Sequence, residues 1–391
     1  MFDNSQNTVP KILIVDDTPK NLQVLGNLLQ NNEYEVEFAT NGKAALNWIE
    51  EDNFDLILLD IMMPEMDGYE VCEKLKSNNN TKNIPIIFLT AKIDTESIVK
   101  GFKLGAADYV TKPFNKEELL ARISTQLTLI QSKKELMQKN QMVSDSIAYA
   151  EKIQQALLPT KEFIDCVLPD SFIFFKPRDI VSGDFYWIKK IKNILYFAAA
   201  DCTGHGIPGA FMSMLGISTL NDIIGTSRLD MPSEILNKLR KKIKLLLNQT
   251  GKEYEQKDGM DIALCMLDTE SKCLYYAGAF NPLYLIRNNE FIEYKANRQP
   301  IAIHEIETDF TNHEIQLKKD DIIYIFSDGF PDQTGGENNK KFKTKYFKEY
   351  LLSIHNQPIK KQKQLIEDKF VVWKGNNEQV DDIIIIGVKI K

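Results

Sequence analysis

Between residues 11 and 125 the chain repeats one pattern: a short apolar run, then an amphipathic stretch. The runs are KILIV (11–15), YEVEFAT (34–40), DLILLD (55–60), PIIFLT (85–90) and ADYV (107–110). Strand-like runs alternating with helical patterns predict a doubly wound, parallel α/β sheet of five strands. Chemistry in such a sheet collects at the carboxyl ends of the strands. Chemically useful side chains stand at those ends here. Asp16 and Asp17 follow the first run, Asp60 ends the third, Thr90 ends the fourth and Lys112 follows the fifth.

Three carboxylates at neighbouring strand ends repel one another in a partly desolvated cleft, so the cluster calls for a hard divalent cation with oxygen ligands. A carboxylate beside Mg2+ can attack a phosphoryl group, and a hydroxyl and an ammonium can then hold the transferred oxygens. Helix capping alone explains Asp16 or Asp17 but not all five positions. "ILIVDDTPKN", "LILLDIMMPEMDGYE", "IIFLTA" and "GAADYVTKPF" resemble the response-regulator receiver domain over residues 10–127. The resemblance implies a flavodoxin-like fold and a phosphoacceptor at Asp60. It implies Mg2+ held by Asp17, Asp16, Asp60 and the Met62 carbonyl. Thr90 and Lys112 would read the phosphoryl group, Thr90 and Tyr109 would form the switch, and Lys112-Pro113 would be cis. A cognate sensor histidine kinase is the implied phosphodonor.

Residues 117–158 hold no Gly or Pro. Ile123, Leu127, Ile130 and Met137 recur at helical spacing, then Val143, Ile147, Ala150, Ile153 and Leu157 in a second phase. This predicts a long helix, or a helical pair broken between the phases. Residues 128–159 are thus a helical linker, either a solvated connector or a coiled-coil-like homodimer contact.

From residue 160 to 391 strand-like runs crowd together, including FIFFK, DFYWIKK, ILYFAAA, IALCMLD, LYYAGA, PLYLIR, IIYIFSD and DIIIIGVKI. Helical patterns interrupt them at about 208–224, 232–249 and 343–369, predicting an α+β region, a β-sandwich flanked by helices. Acids sit at the ends of these runs: Asp184, Asp201, Asp328, and the adjacent Asp381 and Asp382. "DGMD" adds Asp258 and Asp261. Acids beside strongly apolar runs converge only when something positive neutralises them. Carboxylates with a backbone carbonyl suit two Mg2+ or Mn2+ ions, whose activated water needs no Ser or Cys nucleophile.

"RDIVSGDFYW", "ADCTGHGIPGAF", "SDGF" and "QVDDIIII" are similar, as an ordered set, to the SpoIIE-type branch of the metal-dependent (PPM) serine/threonine phosphatases. Carried over, Asp201 bridges two metals. Asp184 and the Cys202 carbonyl serve one ion. Asp328 serves the other with Asp381, Asp382 being the alternative by one position. Asp261, with Asp258 as the alternative, would assist a third, weaker ion. Arg178 is a candidate for the substrate phosphate. His205 is either a proton donor to the leaving group or a ring that holds its loop. The family implies a phosphorylated anti-sigma-factor antagonist as substrate, in a partner-switching pathway that frees a sigma factor. "SIAYAEKIQQALLP" (146–159) resembles the regulatory helix that precedes such phosphatases, so Asp60 phosphorylation is expected to control activity.

A net charge of −7 argues against nucleic acid as the main partner. Five cysteines without a C-x-x-C pair fit a reducing compartment rather than a zinc or disulfide framework. The polar opening MFDNSQNTVPK offers no signal core, and Ile383 to Val388 is far short of the roughly 18 residues of a membrane span. The expected location is cytoplasmic, away from the membrane. Two other functions use the same features: a receiver-controlled phosphoprotein-binding scaffold without turnover, and a two-metal nucleotide-processing output. DCTGHG lacks the Lys and Ser/Thr of a P-loop, which disfavours the latter.

Overall fold

The computed structural model describes residues 9–91, 95–225, 230–250 and 257–391, and the chain divides into two compact units, one ending at Met142 and one starting at Val143. The first contains β1 (Lys11–Val15), α1 (Pro19–Gln30), β2 (Glu35–Ala39), α2 (Gly42–Glu51), β3 (Leu56–Asp60), α3 (Gly68–Ser77), β4 (Ile86–Thr90), α4 (Thr95–Lys103) and β5 (Asp108–Thr111). The strands form one parallel sheet in the order β2-β1-β3-β4-β5. Every residue of β3 and β4 is buried. Leu13, Ile57, Leu59 and Val71 pack on one face of the sheet, and Ile12, Leu25, Leu56 and Leu58 on the other. Cover on both faces is why the runs are apolar without alternation. Strand order reverses between β1 and β3, and a crevice opens at such a point outside the carboxyl ends. Asp16 and Asp60 stand there.

α5 runs unbroken from Lys116 to Leu157, 42 residues, so the alternative of a helical pair does not hold. Its start buries Leu119 and Ile123 in the first unit, and near its end Gln154 is buried in the second. No helix of the described residues is long and apolar enough to cross a membrane.

The second unit continues with α6 (Lys161–Val167), β6 (Ser171–Lys176), β7 (Phe185–Ile191), β8 (Ile194–Cys202), α7 (Gly206–Ile223), α8 (Pro232–Leu246), β9 (Met260–Asp268), β10 (Cys273–Ala279), β11 (Leu283–Arg287), β12 (Glu290–Tyr294), β13 (His313–Gln316), β14 (Ile322–Phe326), α9 (Gly329–Asp332), β15 (Thr334–Gly335), β16 (Lys340–Lys341), α10 (Thr344–Ile354), α11 (Ile359–Lys374) and β17 (Ile383–Lys389). Two antiparallel sheets, β13-β10-β9-β8-β7 and β12-β11-β14-β17-β6, face each other across Phe197, Cys265, Leu285, Ile325 and Ile384. Ile217, Leu220 and Leu239 of α7 and α8 cover one outer face. Phe347 and Phe370 of α10 and α11 cover the other. The pattern at 343–369 is two helices rather than one. Pro358 separates them, because its ring disfavours helix in the residue before it.

Candidate metal centres

In the first unit the β1/β3 crevice gathers Asp16, Asp17 and Asp60, whose ligand oxygens lie within 4.8 Å of one another. Asp16 and Asp60 are buried and Asp17 is exposed. Thr18 N and Asn21 Nδ2 both donate to Asp16 at 2.9 Å, fixing its carboxylate. Asn21 is a contributor the sequence reading missed, since one Asn early in a helix gives no distinguishing signal. Lys112 Nζ lies 2.7 Å from Asp16 Oδ2 and 2.6 Å from Asp60 Oδ2. Burial alone would lower the Lys112 ammonium, but its bonds to Asp16 and Asp60 outweigh that and hold it above its ordinary value. Burial raises Asp60 above the usual carboxylate range despite Lys112. The Met62 amide donates to Asp60 Oδ1 at 3.3 Å, and the Met62 side chain is exposed. Thr90 is buried at the end of β4, and Tyr109 packs edge-on to Phe102. The Lys112-Pro113 peptide is cis.

The second centre is assembled by strand register. β8 and β9 pair so that Asp201 stands directly opposite Asp261. Like charges at directly opposite positions repel. β14 and β17 are antiparallel neighbours, which brings Asp328, just after β14, to the same end as Asp381 and Asp382, just before β17. Gly329 permits this approach: a Cβ there would lie 1.9 Å from the Asp382 carbonyl. Asp201, Asp261, Asp328 and Asp381 line one cleft of about 330 Å3 with Cys202, Thr203, Gly204 and His205. The DCTGHG loop turns through Gly204 at φ +82 and Gly206 at φ +63, left-handed conformations that glycine adopts without a steric penalty.

Asp184 is buried behind this cleft and accepts from Ser327 Oγ at 2.6 Å. The Cys202 carbonyl lies beside Gly183, 3.2 Å from where a Cβ on that residue would stand. Asp382 takes a different position from its neighbour. Its carboxylate accepts from the backbone amides of Arg178 and Gly183, both at 2.7 Å, and ties the 178–183 loop to β17. Arg178 Nη1 donates to the Val380 carbonyl at 2.9 Å. His205 Nδ1 lies 2.9 Å from Asp179 Oδ2, a carboxylate that the sequence reading passed over. Asp258 does not line the cleft; its carbonyl accepts from Gln249 at 2.6 Å.

The electrostatics show a centre short of positive charge. Burial, then Asp328, Asp381 and Asp261, push Asp201 up to about 8. Asp261 rises to about 7 through burial and Asp328. Burial first also raises Asp184, Asp328 and Asp381. The buried Cys202 thiol is driven up as well, which removes it as a thiolate nucleophile. An all-oxygen donor set of unneutralised carboxylates fits Mg2+ or Mn2+.

A family model described as response regulator receiver domain matches residues 12–124, and one described as Stage II sporulation protein E (SpoIIE) matches residues 192–391. Among curated proteins, a probable cyclic di-GMP phosphodiesterase of Vibrio cholerae is 43% identical over 147 residues, 38% of this chain and 32% of that protein. Response regulator ArlR of Staphylococcus saprophyticus is 40% identical over 139 residues, 36% of this chain and 61% of that protein. The chain therefore spans less than two thirds of the length of these relatives. Among solved structures, the SiaA-PP2C domain of Pseudomonas aeruginosa superposes with a TM-score of 0.59 at 30% identity, over 65% of this chain and 99% of that domain. Because the SpoIIE match takes in more than half of the residues and the sandwich shares its fold with that PP2C domain, the chain belongs to the SpoIIE family, with a response regulator receiver domain preceding the SpoIIE part.

Proposed function

We propose that the chain is a response regulator whose output is a metal-dependent phosphoserine/phosphothreonine protein phosphatase. The observation that carries this reading is the convergence of Asp201, Asp261, Asp328 and Asp381 on one cleft with no ammonium among its described lining residues. Two Mg2+ or Mn2+ ions bound there would supply Lewis acidity toward the phosphoryl oxygens and an activated water. Asp201 would contact both ions, Asp184 and the Cys202 carbonyl one, and Asp328 with Asp381 the other. Asp261 would hold a weaker third. Asp381 is preferred over Asp382, whose oxygens are already engaged by two backbone amides. His205, oriented by Asp179, would donate a proton to the leaving alkoxide. Arg178 keeps guanidinium donors beyond the one on Val380 for a substrate phosphate.

Asp60, phosphorylated by a histidine kinase with Mg2+ at Asp16 and Asp17, would set the activity. The route is α5, which starts in the first unit and ends beside the second centre. Gln154 near its end donates to Ser182 O at 2.6 Å and to Ser213 Oγ at 2.8 Å, and accepts from Ser182 N at 3.0 Å. Ser182 stands two residues before Asp184. Exposed Leu129, Leu136 and Val143 on α5 lie seven residues apart, a seam for a second copy of the chain. The family resemblance points to an anti-sigma-factor antagonist as substrate and to a cytoplasmic partner-switching pathway. Phosphate release from a phosphoserine peptide tests the reading. Release with Mn2+ that disappears with EDTA and in Asp201→Asn supports it, and no release from the wild-type chain with Mn2+ overturns it.

A further inference from the structure

A second cleft lies beyond α9, its lining starting at Gly335, seven positions after Asp328. α9 carries the chain from Asp328 to Asp332, and the residues after it fold into the β15–β16 ribbon. The ribbon, α10 and α11 enclose a cleft of about 710 Å3. Phe342, Tyr346 and Trp373 provide apolar wall. Lys340, Lys341, Lys343 and Lys369 surround it against two carboxylates, Glu337 and Glu349. Lys341 bonds Asp332 at 2.6 Å. Lys369 Nζ stands 5.9 Å from the Phe342 ring centre and 5.8 Å from that of Tyr350. A wall of aromatic faces under a surplus of ammonium groups complements an anionic ligand with an apolar anchor.

The cleft is fastened to the loops of the metal centre through one buried residue, Gln333. Its carbonyl accepts from Trp373 Nε1 at 2.9 Å and from Phe342 N at 3.0 Å. Its side chain donates to the Glu378 carbonyl at 2.9 Å and accepts from Val380 N at 3.1 Å, directly before Asp381. Lys343 is held at φ +72, a conformation disfavoured for a residue with a side chain, by the hydrogen bond its backbone N–H donates to the Pro331 carbonyl at 2.7 Å. The ribbon is therefore clamped at a fixed place relative to the acids.

We propose that this cleft docks an acidic segment of the phosphoprotein substrate, its carboxylates against Lys340, Lys343 and Lys369 and an apolar side chain against Tyr346 and Trp373. The inference rests on the phosphatase reading, and the test separates the two. Two labelled phosphoserine peptides share one phosphorylated core; one carries a Glu- and Leu-rich tail, the other a Gln-rich tail. Fluorescence anisotropy with the full chain in EDTA reads docking without turnover. Phosphate release with Mn2+ reads kcat/KM, and p-nitrophenyl phosphate reads the hydrolytic centre alone.

The acidic peptide is expected to bind roughly tenfold more tightly, with a preference that shrinks as salt rises. Lys340→Glu and Lys369→Glu, at melting midpoints matching wild type, are expected to remove most of that preference. Equal binding of the two peptides overturns the proposal. So does a preference that both substitutions leave intact, or full displacement of the peptide by equimolar ATP. Docking that behaves as expected in a chain that hydrolyses neither peptide nor ester would overturn the phosphatase reading and leave the cleft assignment standing.

Discussion

The two acid clusters solve the same electrostatic problem differently. In the receiver unit, three carboxylates share a crevice with Lys112, which contacts two of them. One internal ammonium leaves a residual charge that one divalent ion can match. In the SpoIIE unit, Asp184, Asp201, Asp261, Asp328 and Asp381 converge, and no ion pair among the described residues reaches them. Lys341 pairs instead with Asp332, and the His205 ring bonds Asp179. The difference shows in protonation: Asp201 is pushed up to about 8, whereas Lys112 is held above its ordinary value by its acids. A fold that carries its own counterion can wait for a transient ligand. A fold that omits it would depend on bound metal to neutralise its acids.

The largest effect expected from breaking this contrast is on turnover. Asp201→Asn removes the carboxylate at the middle of the second cluster and should lower phosphate release at least about a hundredfold. The same variant should still accept a phosphoryl group at Asp60 from acetyl phosphate, read as a mass shift. Asp60→Asn should do the reverse, abolishing the mass shift while Mn2+-dependent hydrolysis persists. If Asp201→Asn hydrolyses phosphopeptide as well as wild type, the metal centre lies elsewhere.

Removing the built-in counterion should make the receiver resemble the other centre. Lys112→Ala leaves Asp16 and Asp60 facing each other without a cation and should destabilise that unit by about 3 kcal/mol, the low end for breaking a buried pair. Millimolar Mg2+ should recover part of this loss. Urea melts with and without Mg2+ measure both, and a variant as stable as wild type in EDTA would show that Lys112 neutralises nothing.

The converse holds for pH. Asp201 is raised from the ordinary carboxylate value to about 8 and Asp261 to about 7, burial being the first cause of each. In the metal-free protein both bind protons in the folded state that the unfolded chain has released. Their contribution is fully present below about pH 4 and is lost as pH rises through 7 to 8. The melting midpoint in EDTA should therefore fall by a few degrees between pH 6 and pH 8.5, and saturating Mn2+ should flatten that slope. A metal-free midpoint that rises over this range would contradict the charge shortage described above.

What the sequence made legible followed from burial. Runs such as LILLD and IIFLT are apolar throughout because both faces of the parallel sheet are covered, so their strands were readable. β12 (EFIEY) and β13 (HEIQ) escaped notice because they are edge strands interrupted by charged residues and only partly buried. The acids of the second centre stood out since each flanks an apolar run. Asp381 and Asp382 were inseparable by pattern, and only the two amides on Asp382 distinguish them. Asp179, Ser327 and Gln154 act through partners far away in sequence. Ser327, for example, reaches Asp184 across 143 positions, which no local periodicity encodes.

Gln154 gives the smallest and sharpest test, because it distinguishes a helix that merely covers the second centre from one that tunes it. Its side chain makes three hydrogen bonds in a buried setting, two of them to the backbone of Ser182. Gln154→Ala leaves that N–H and C=O poorly satisfied, which should destabilise by about 1–2 kcal/mol. Stability alone does not decide the matter, since any buried amide would show it. Ser182 is linked through Gly183 to Asp184, so a loosened Ser182 should shift a carboxylate proposed to hold metal. Apparent Mn2+ affinity in the variant should weaken by roughly tenfold, the size expected when support behind a ligand is lost. Gln154→Glu keeps an acceptor for Ser182 N but turns a carboxylate toward the Ser182 carbonyl, so it should rescue little. If both variants lose stability yet bind Mn2+ as wild type does, α5 is only a lid on the core and the receiver must signal by another path.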